Sequence, residues 1–245
     1  MLDRDPAQAE RFYLNRERAA EASAFNLEQY KRLARPDWLP DPGSVVVAGV
    51  DGARFVDALA IVATHPASGF QWPVGIWERP ESADDDYEHP FHEVDGAMSE
   101  LFDTYDVWRV EIDPQYIDHL VSTWQGRWGD QKVREWFTNR PKQAAWMIRN
   151  YTDAMGRRSE DGTVHADLSH SGDAVLTRHI GNARKAKVNV FDDDHRQMWT
   201  LSKDRPNSPR KVDGAMAGGI SWEARSDCIA KGATERRRKR SFVIR

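Results

Sequence analysis

The chain has 245 residues, 40% hydrophobic and 30% charged, with 35 Lys and Arg against 39 Asp and Glu and a net charge of −4. That composition suits one globular domain with a sizeable core and excludes a disordered chain. No apolar run nears the roughly 20 residues that span a bilayer; Met1 to Pro6 shows no basic segment leading into an apolar one, so no signal peptide is expected; and the lone Cys228 excludes an intrachain disulfide or a Cys-rich zinc site.

Residues 1–44 read as a helical linker or partner-docking arm. Pro6 to Ala34 is rich in Ala, Glu, Arg and Leu, and Phe12, Leu14, Phe25, Leu27, Tyr30 and Leu33 recur at helical spacing, predicting one or two helices. Pro36, Pro40, Asp41, Pro42 and Gly43 then break the pattern. Strands follow at Val45–Asp51, Asp57–Thr64 and Gln71–Trp77, joined by short turns, which predicts an antiparallel meander. After the acidic stretch 78–90, Val94–Tyr105 has helical periodicity and Val107–Ile112 is a fourth strand. Ile117–Trp128 reads as a helix, Val133–Phe137 as a short fifth strand, and Lys142–Met155 as a further helix.

Three meander strands, then helix, strand, helix, strand, is the element order of a ribonuclease-H-like fold. This is an α/β architecture with a mixed sheet, antiparallel at first and parallel afterwards, flanked by helices. Further along, Ala174–Arg184 predicts a helix. Lys187–Val190 and Met198–Ser202 could pair as a hairpin around Asp192-Asp-Asp-His195, and Val212–Arg225 closes the domain as a helix rich in small residues. The domain is therefore expected over 45–230, followed by a basic tail, 231–245, with seven Lys or Arg against one Glu. In that tail Arg236, Arg237, Arg238, Lys239 and Arg240 form a cluster suited either to neutralising phosphates or to simple solvation.

Three acids stand out. Asp51 and Asp113 each end an apolar strand, and Asp213 lies near the start of the closing helix. In this topology the first and fourth strands are adjacent, so Asp51 and Asp113 would lie side by side. Gly214, Ala215, Ala217, Gly218 and Gly219 would let the helix approach closely enough for Asp213 to join them. Carboxylates gathered in one cleft call for a cation, and an all-oxygen donor set suits Mg²⁺ or Mn²⁺. Two such ions would activate a water and stabilise the leaving oxygen in phosphodiester hydrolysis.

Other residues carry two readings each. Glu111 is an auxiliary ligand or a salt-bridged or solvent-facing side chain. Asp57 orients the site or caps a hairpin. His179 contacts the scissile phosphate, tunes a metal-bound water, or is a buried structural histidine. Lys203, Arg205, Arg210 and Lys211 bind phosphate or solvate a loop. The sequence has no phosphate-cradling Gly-x-x-x-x-Gly-Lys-Ser/Thr, no His-Glu-x-x-His and no Gly-x-Ser-x-Gly.

With these residues located, the chain resembles the nuclease domain of the large terminase subunit of tailed bacteriophages, of the actinobacterial-phage type. The stretches that carry the likeness are Gly49 to Ala60, Gly75 to Pro80, Glu111 to Pro114, Thr138 to Arg140, Arg178 to Ala183 and Lys203 to Asp213, which span essentially 45–225. The resemblance implies a metal-dependent endonuclease that cuts concatemeric viral DNA with low sequence specificity during packaging, with Asp51, Asp113 and Asp213 as catalytic and metal-binding acids. It implies double-stranded DNA, a terminase ATPase, a small terminase subunit and a portal protein as partners, and the host cytoplasm, transiently at the procapsid portal, as the place of action. Residues 1–44 resemble the end of the ATPase region; the translocating ATPase itself lies outside the likeness, as for an excised domain or a split gene. Some relatives carry a histidine three residues before the last acid, where this chain has Arg210. Two alternatives stand beside this reading: another nuclease of the same fold, such as a resolvase or transposase core, and a non-catalytic docking module of a packaging motor.

Overall fold

A computed structural model of the chain describes residues 22–52, 57–80, 82–84, 86–159, 163–205 and 208–235. Its centre is a six-stranded sheet. Strands β1 (Val45–Gly52), β2 (Leu59–His65) and β3 (Phe70–Trp77) form an antiparallel meander. Strand β4 (Asp106–Ile112) lies parallel to β1, and β5 (Val133–Glu135) parallel to β4. The order across the sheet, β5-β4-β1-β2-β3 plus one further short strand, is that of the expected ribonuclease-H-like architecture.

The run Val45-Val-Val-Ala-Gly-Val50 is continuously apolar because β1 is covered on both faces. Val46, Ala48 and Val50 join one core with helices α2 (Phe91–Thr104) and α3 (Asp118–Trp128). Val45 and Val47 face the other way. On that second side lie α4 (Pro141–Gly156), α5 (Ala174–Asn182) and α6 (Asp213–Ala230).

Helix α6 is built of small and apolar residues from Gly214 to Ile220 and is buried along most of that half. It can lie this close to β1 because position 49 has no side chain. A Cβ there would stand 2.2 Å from the Ala217 carbonyl oxygen and 2.3 Å from the Ser221 nitrogen. Both obstacles are backbone, so neither can swing aside. Gly49→Ala is therefore expected to destabilise the fold by at least about 2–3 kcal/mol, read as a lower denaturation midpoint in urea. A buried network reinforces the contact: Gln71 donates to the Gly218 carbonyl and to Thr64 Oγ1, both at 3.1 Å, and Tyr151 OH donates to Gln71 Oε1 at 2.6 Å.

Several elements differ from the sequence expectation. Strand β8 (Ser169–His170) extends the sheet beyond β3, and β6 (Arg157–Arg158) with β7 (Val164–His165) makes a small ribbon; elements of two residues leave no periodicity to read. The hairpin of β9 (Arg184–Phe191) and β10 (Gln197–Ser202) is longer than expected. Arg184, Lys185 and Ala186 have good helix propensity, yet they pair with Ser202, Leu201 and Thr200, and tertiary pairing decides. Within residues 22–44, α1 (Leu27–Arg32) is packed into the body. Tyr30 is fully buried, stacks on the His170 ring at 3.9 Å, and its carbonyl accepts from His170 Nε2 at 2.8 Å. Residues 1–21 and the tail cluster Arg236–Arg240 lie outside the described residues.

Candidate functional site

The register of β1 and β4 sets the first two acids. Val50 pairs with Ile112, and the Asp113 amide donates to the Val50 carbonyl at 3.0 Å, so Asp51 and Asp113 leave adjacent parallel strands at the same end. Asp213 opens α6, whose close approach to β1 at Gly49 brings its first turn to that end of the sheet. Asp113 and Asp213 are buried and Asp51 is partly so. Burial, then Asp213, Asp113 and Asp57, push the Asp51 carboxyl well above the usual range. Burial, with Asp57 next, pushes Asp213 up to about 6. One oxygen of Asp213, Oδ2, is buried without a hydrogen-bond partner. Among the described residues no three His, Cys, Asp or Glu side chains are drawn together tightly enough to grip an ion by themselves. The arrangement is a loose acidic cluster with one unpartnered buried oxygen, and its all-oxygen donors are of the kind that suits a hard divalent cation.

Two of the three acids are held in place by their surroundings. Thr138 donates its hydroxyl to Asp113 Oδ2, and the Gln115 amide donates to Oδ1 at 3.3 Å. Nothing in the sequence singled out Thr138 beyond its place in the stretch Thr138 to Arg140. Thr138→Val should lower Mn²⁺ affinity by about 10–100-fold, and Thr138→Ser should keep it; equal titration curves for the valine and native proteins would show that Thr138 does not position Asp113.

His179 is wholly buried and acts on the other side. Its Nδ1 accepts the Gly214 amide hydrogen at 2.9 Å, so the proton sits on Nε2, which donates to Glu78 Oε1 at 3.0 Å. Burial holds the ring below the ordinary histidine pKa, in keeping with a neutral imidazole. Glu78 is also gripped by Arg178 at 2.6 Å. The Arg178–His179–Glu78 group therefore clamps the first turn of α6, one residue from Asp213. Glu78 was not marked by sequence pattern; a charged residue after a strand has no periodic signature.

The remaining candidates are placed as follows. Glu111 is buried and faces Arg109 at 3.5 Å; Arg109 also binds Asp227 far along α6. Burial, with Asp227 next, raises Glu111 to about 7. Asp57 lies within electrostatic reach of Asp51 and Asp213, and His89 Nε2 donates to its carbonyl at 2.6 Å. Lys203 and Lys211 turn inward to Asp57, Arg210 meets Asp204 at 3.3 Å, and Arg205 is exposed.

The sequence matches no protein-family model. It is 26% identical over 237 residues to the Gene 13 protein of Mycobacterium phage D29 and, at the same identity and length, to that of Mycobacterium phage L5. Each match covers 91% of this chain but only 38% of the relative, so the chain spans under two fifths of their length. Among solved structures, the large terminase nuclease of thermophilic phage G20c superposes with a TM-score of 0.54 at 13% identity, over 82% of this chain and 98% of the nuclease. The HK97 bacteriophage large terminase gives 0.57 at 15% identity, over 83% of this chain and 43% of the terminase. The fold is thus that of large terminase nuclease domains. Among the described residues no helix is long and apolar enough to cross a membrane.

Proposed function

We propose that this chain is the nuclease portion of a phage large terminase, a divalent-metal-dependent endonuclease that cuts double-stranded, concatemeric viral DNA during packaging with little sequence preference. The observation that carries the reading is the meeting of Asp51, Asp113 and Asp213 at one end of the sheet, where burial and mutual repulsion raise Asp51 and Asp213 Oδ2 lacks a partner. Such a cluster is poorly stable without a cation. The G20c nuclease, which shares the fold, has been seen with magnesium bound.

Asp51, Asp113 and Asp213 would hold Mg²⁺ or Mn²⁺, most simply as a pair. Bound there, the ions would activate a water for attack on the phosphodiester and stabilise the leaving oxygen, so no nucleophilic side chain is required. The protein's own part is to aim the acids. Thr138 fixes the Asp113 carboxylate, and the Glu78–His179 clamp fixes the turn that carries Asp213. Arg205, exposed at the same loop, and the basic residues beyond 235 supply cations for the DNA backbone. In an infected host the partners would be the terminase ATPase, the small subunit and the portal protein.

The test is incubation of the purified chain with supercoiled plasmid in Mg²⁺ or Mn²⁺, with and without EDTA. Nicking and linearisation that EDTA abolishes is the expected result; cleavage that persists in EDTA would overturn the metal reading. Deleting residues 236–245 is expected to weaken plasmid binding and to reduce the slope of log affinity against log salt by about 0.9 for each phosphate that the tail had neutralised. An unchanged slope would mean that the tail does not touch DNA.

A further inference from the structure

Two lysines of the loop before α6 turn inward rather than to solvent. Lys203 hydrogen-bonds Asp57 Oδ1, and Lys211 reaches the same oxygen at 3.2 Å. Their side chains are only 18% and 12% exposed. His89 donates to the Asp57 backbone carbonyl at 2.6 Å and so anchors the main chain that carries this carboxylate. The Lys203 ammonium also acts on more than its direct partner: it draws down Asp51, Asp57 and Asp213 alike, although burial outweighs it at Asp51 and Asp213. Two positive charges are thus tethered at Asp57, and Lys203 is the one that also draws down Asp51, in a cluster where Asp213 Oδ2 is buried and unpartnered.

We propose that Lys203 is a built-in counter-ion of this cluster, standing at Asp57 where a second divalent cation would otherwise be drawn. The chain then holds one ion strongly and admits a second only when Lys203 leaves Asp57. This inference rests on the reading of Asp51, Asp113 and Asp213 as a metal site. The physical basis is simple: an ammonium and a dication repel strongly at short range and compete for one carboxylate. Lysine suits the part, being a compact charge on a flexible stem that can swing between anions. A phosphate of bound DNA offers Lys203 an alternative anion. Its departure would leave Asp57 with Lys211 alone, remove one of the two charges that repel a dication, and make completion of the site follow the arrival of substrate.

The test is calorimetric titration of Mn²⁺ into the native chain, Lys203→Met and Lys203→Arg, at one pH and ionic strength without DNA. Methionine keeps the apolar stem and removes the charge; arginine keeps the charge. The native chain and Lys203→Arg are expected to take one ion, and Lys203→Met two, with the first bound on the order of tenfold more tightly. Asp57→Asn, which removes the carboxylate instead, should bind one. A folded Lys203→Met protein with native stoichiometry and affinity would overturn the counter-ion role while leaving the metal site standing, and so would a native chain that already binds two ions. No binding by any of the four proteins would overturn the metal site itself and the inference with it. If Lys203→Met melts abnormally low, Lys203→Gln serves as the neutral variant, judged by the same stoichiometry.

Discussion

Asp51→Asn is expected to reduce plasmid cleavage at saturating Mg²⁺ by roughly a thousandfold, because losing one carboxylate forfeits about 4 kcal/mol of the several that a bound metal contributes to the transition state. The same change is expected to raise, not lower, the melting temperature of the metal-free protein. Asp51 is crowded first by burial and then by Asp213, Asp113 and Asp57, and a neutral amide of the same shape relieves that repulsion. The two effects together separate a functional loss from a structural one. They are checked by quantifying nicked and linear plasmid alongside thermal melts in EDTA. A variant that cuts at the native rate would remove Asp51 from the site, and one that fails to cut because it melts early would leave the acid with a packing role.

The second large effect is on stability and its dependence on pH and metal. Burial and Asp57 raise Asp213 to about 6 in the folded protein, above its ordinary value. The folded state therefore holds this proton more tightly than the unfolded chain does. Raising the pH from the ordinary carboxylate range through about 6 costs stability, and below that range the penalty is absent. The full cost at neutral pH is on the order of 2–3 kcal/mol, or very roughly 5–10 °C in melting temperature for a chain of this size. Asp213→Asn should match the native protein in acid and melt higher at neutral pH in EDTA. Divalent metal should reverse the order. An ion at a hundredfold its dissociation constant adds about 2.7 kcal/mol to the folded state, and the asparagine variant should gain far less. Equal responses to Mn²⁺ in the two proteins, followed by scanning fluorimetry, would mean that Asp213 holds no ion.

Much of this architecture was legible in the sequence because the sheet is covered on both faces. Val45 to Val50 stands out as an apolar run and Val107 to Ile112 as a strand broken only by Arg109 and Glu111, and their ends mark Asp51 and Asp113. The glycines and alanines of α6 signal a close approach, and Gly49 on β1 is its counterpart. What could not be read depends on distant partners. The two-residue strand β8 exists only because β3 offers it an edge. Tyr30 joins the core by stacking on His170, which lies 140 residues away, so residues 22–44 read as a linker although α1 packs on the body. Lys203 and Lys211 read as cations that bind phosphate or solvate a loop, because local sequence does not reveal that Asp57 waits behind them. Thr138 and Glu78 were silent for the same reason: a hydroxyl or carboxylate that steadies an acid or a histidine has no periodicity of its own.

The most direct measurement is a crystal of the chain grown or soaked in Mn²⁺, with anomalous scattering recorded to locate the ion. The account predicts a strong peak in contact with the carboxylates of Asp51, Asp113 and Asp213, with Asp213 Oδ2 among the oxygens that touch it. Saturating Mn²⁺ with no peak at the three acids, and their side chains left as they stand in the metal-free chain, would contradict it.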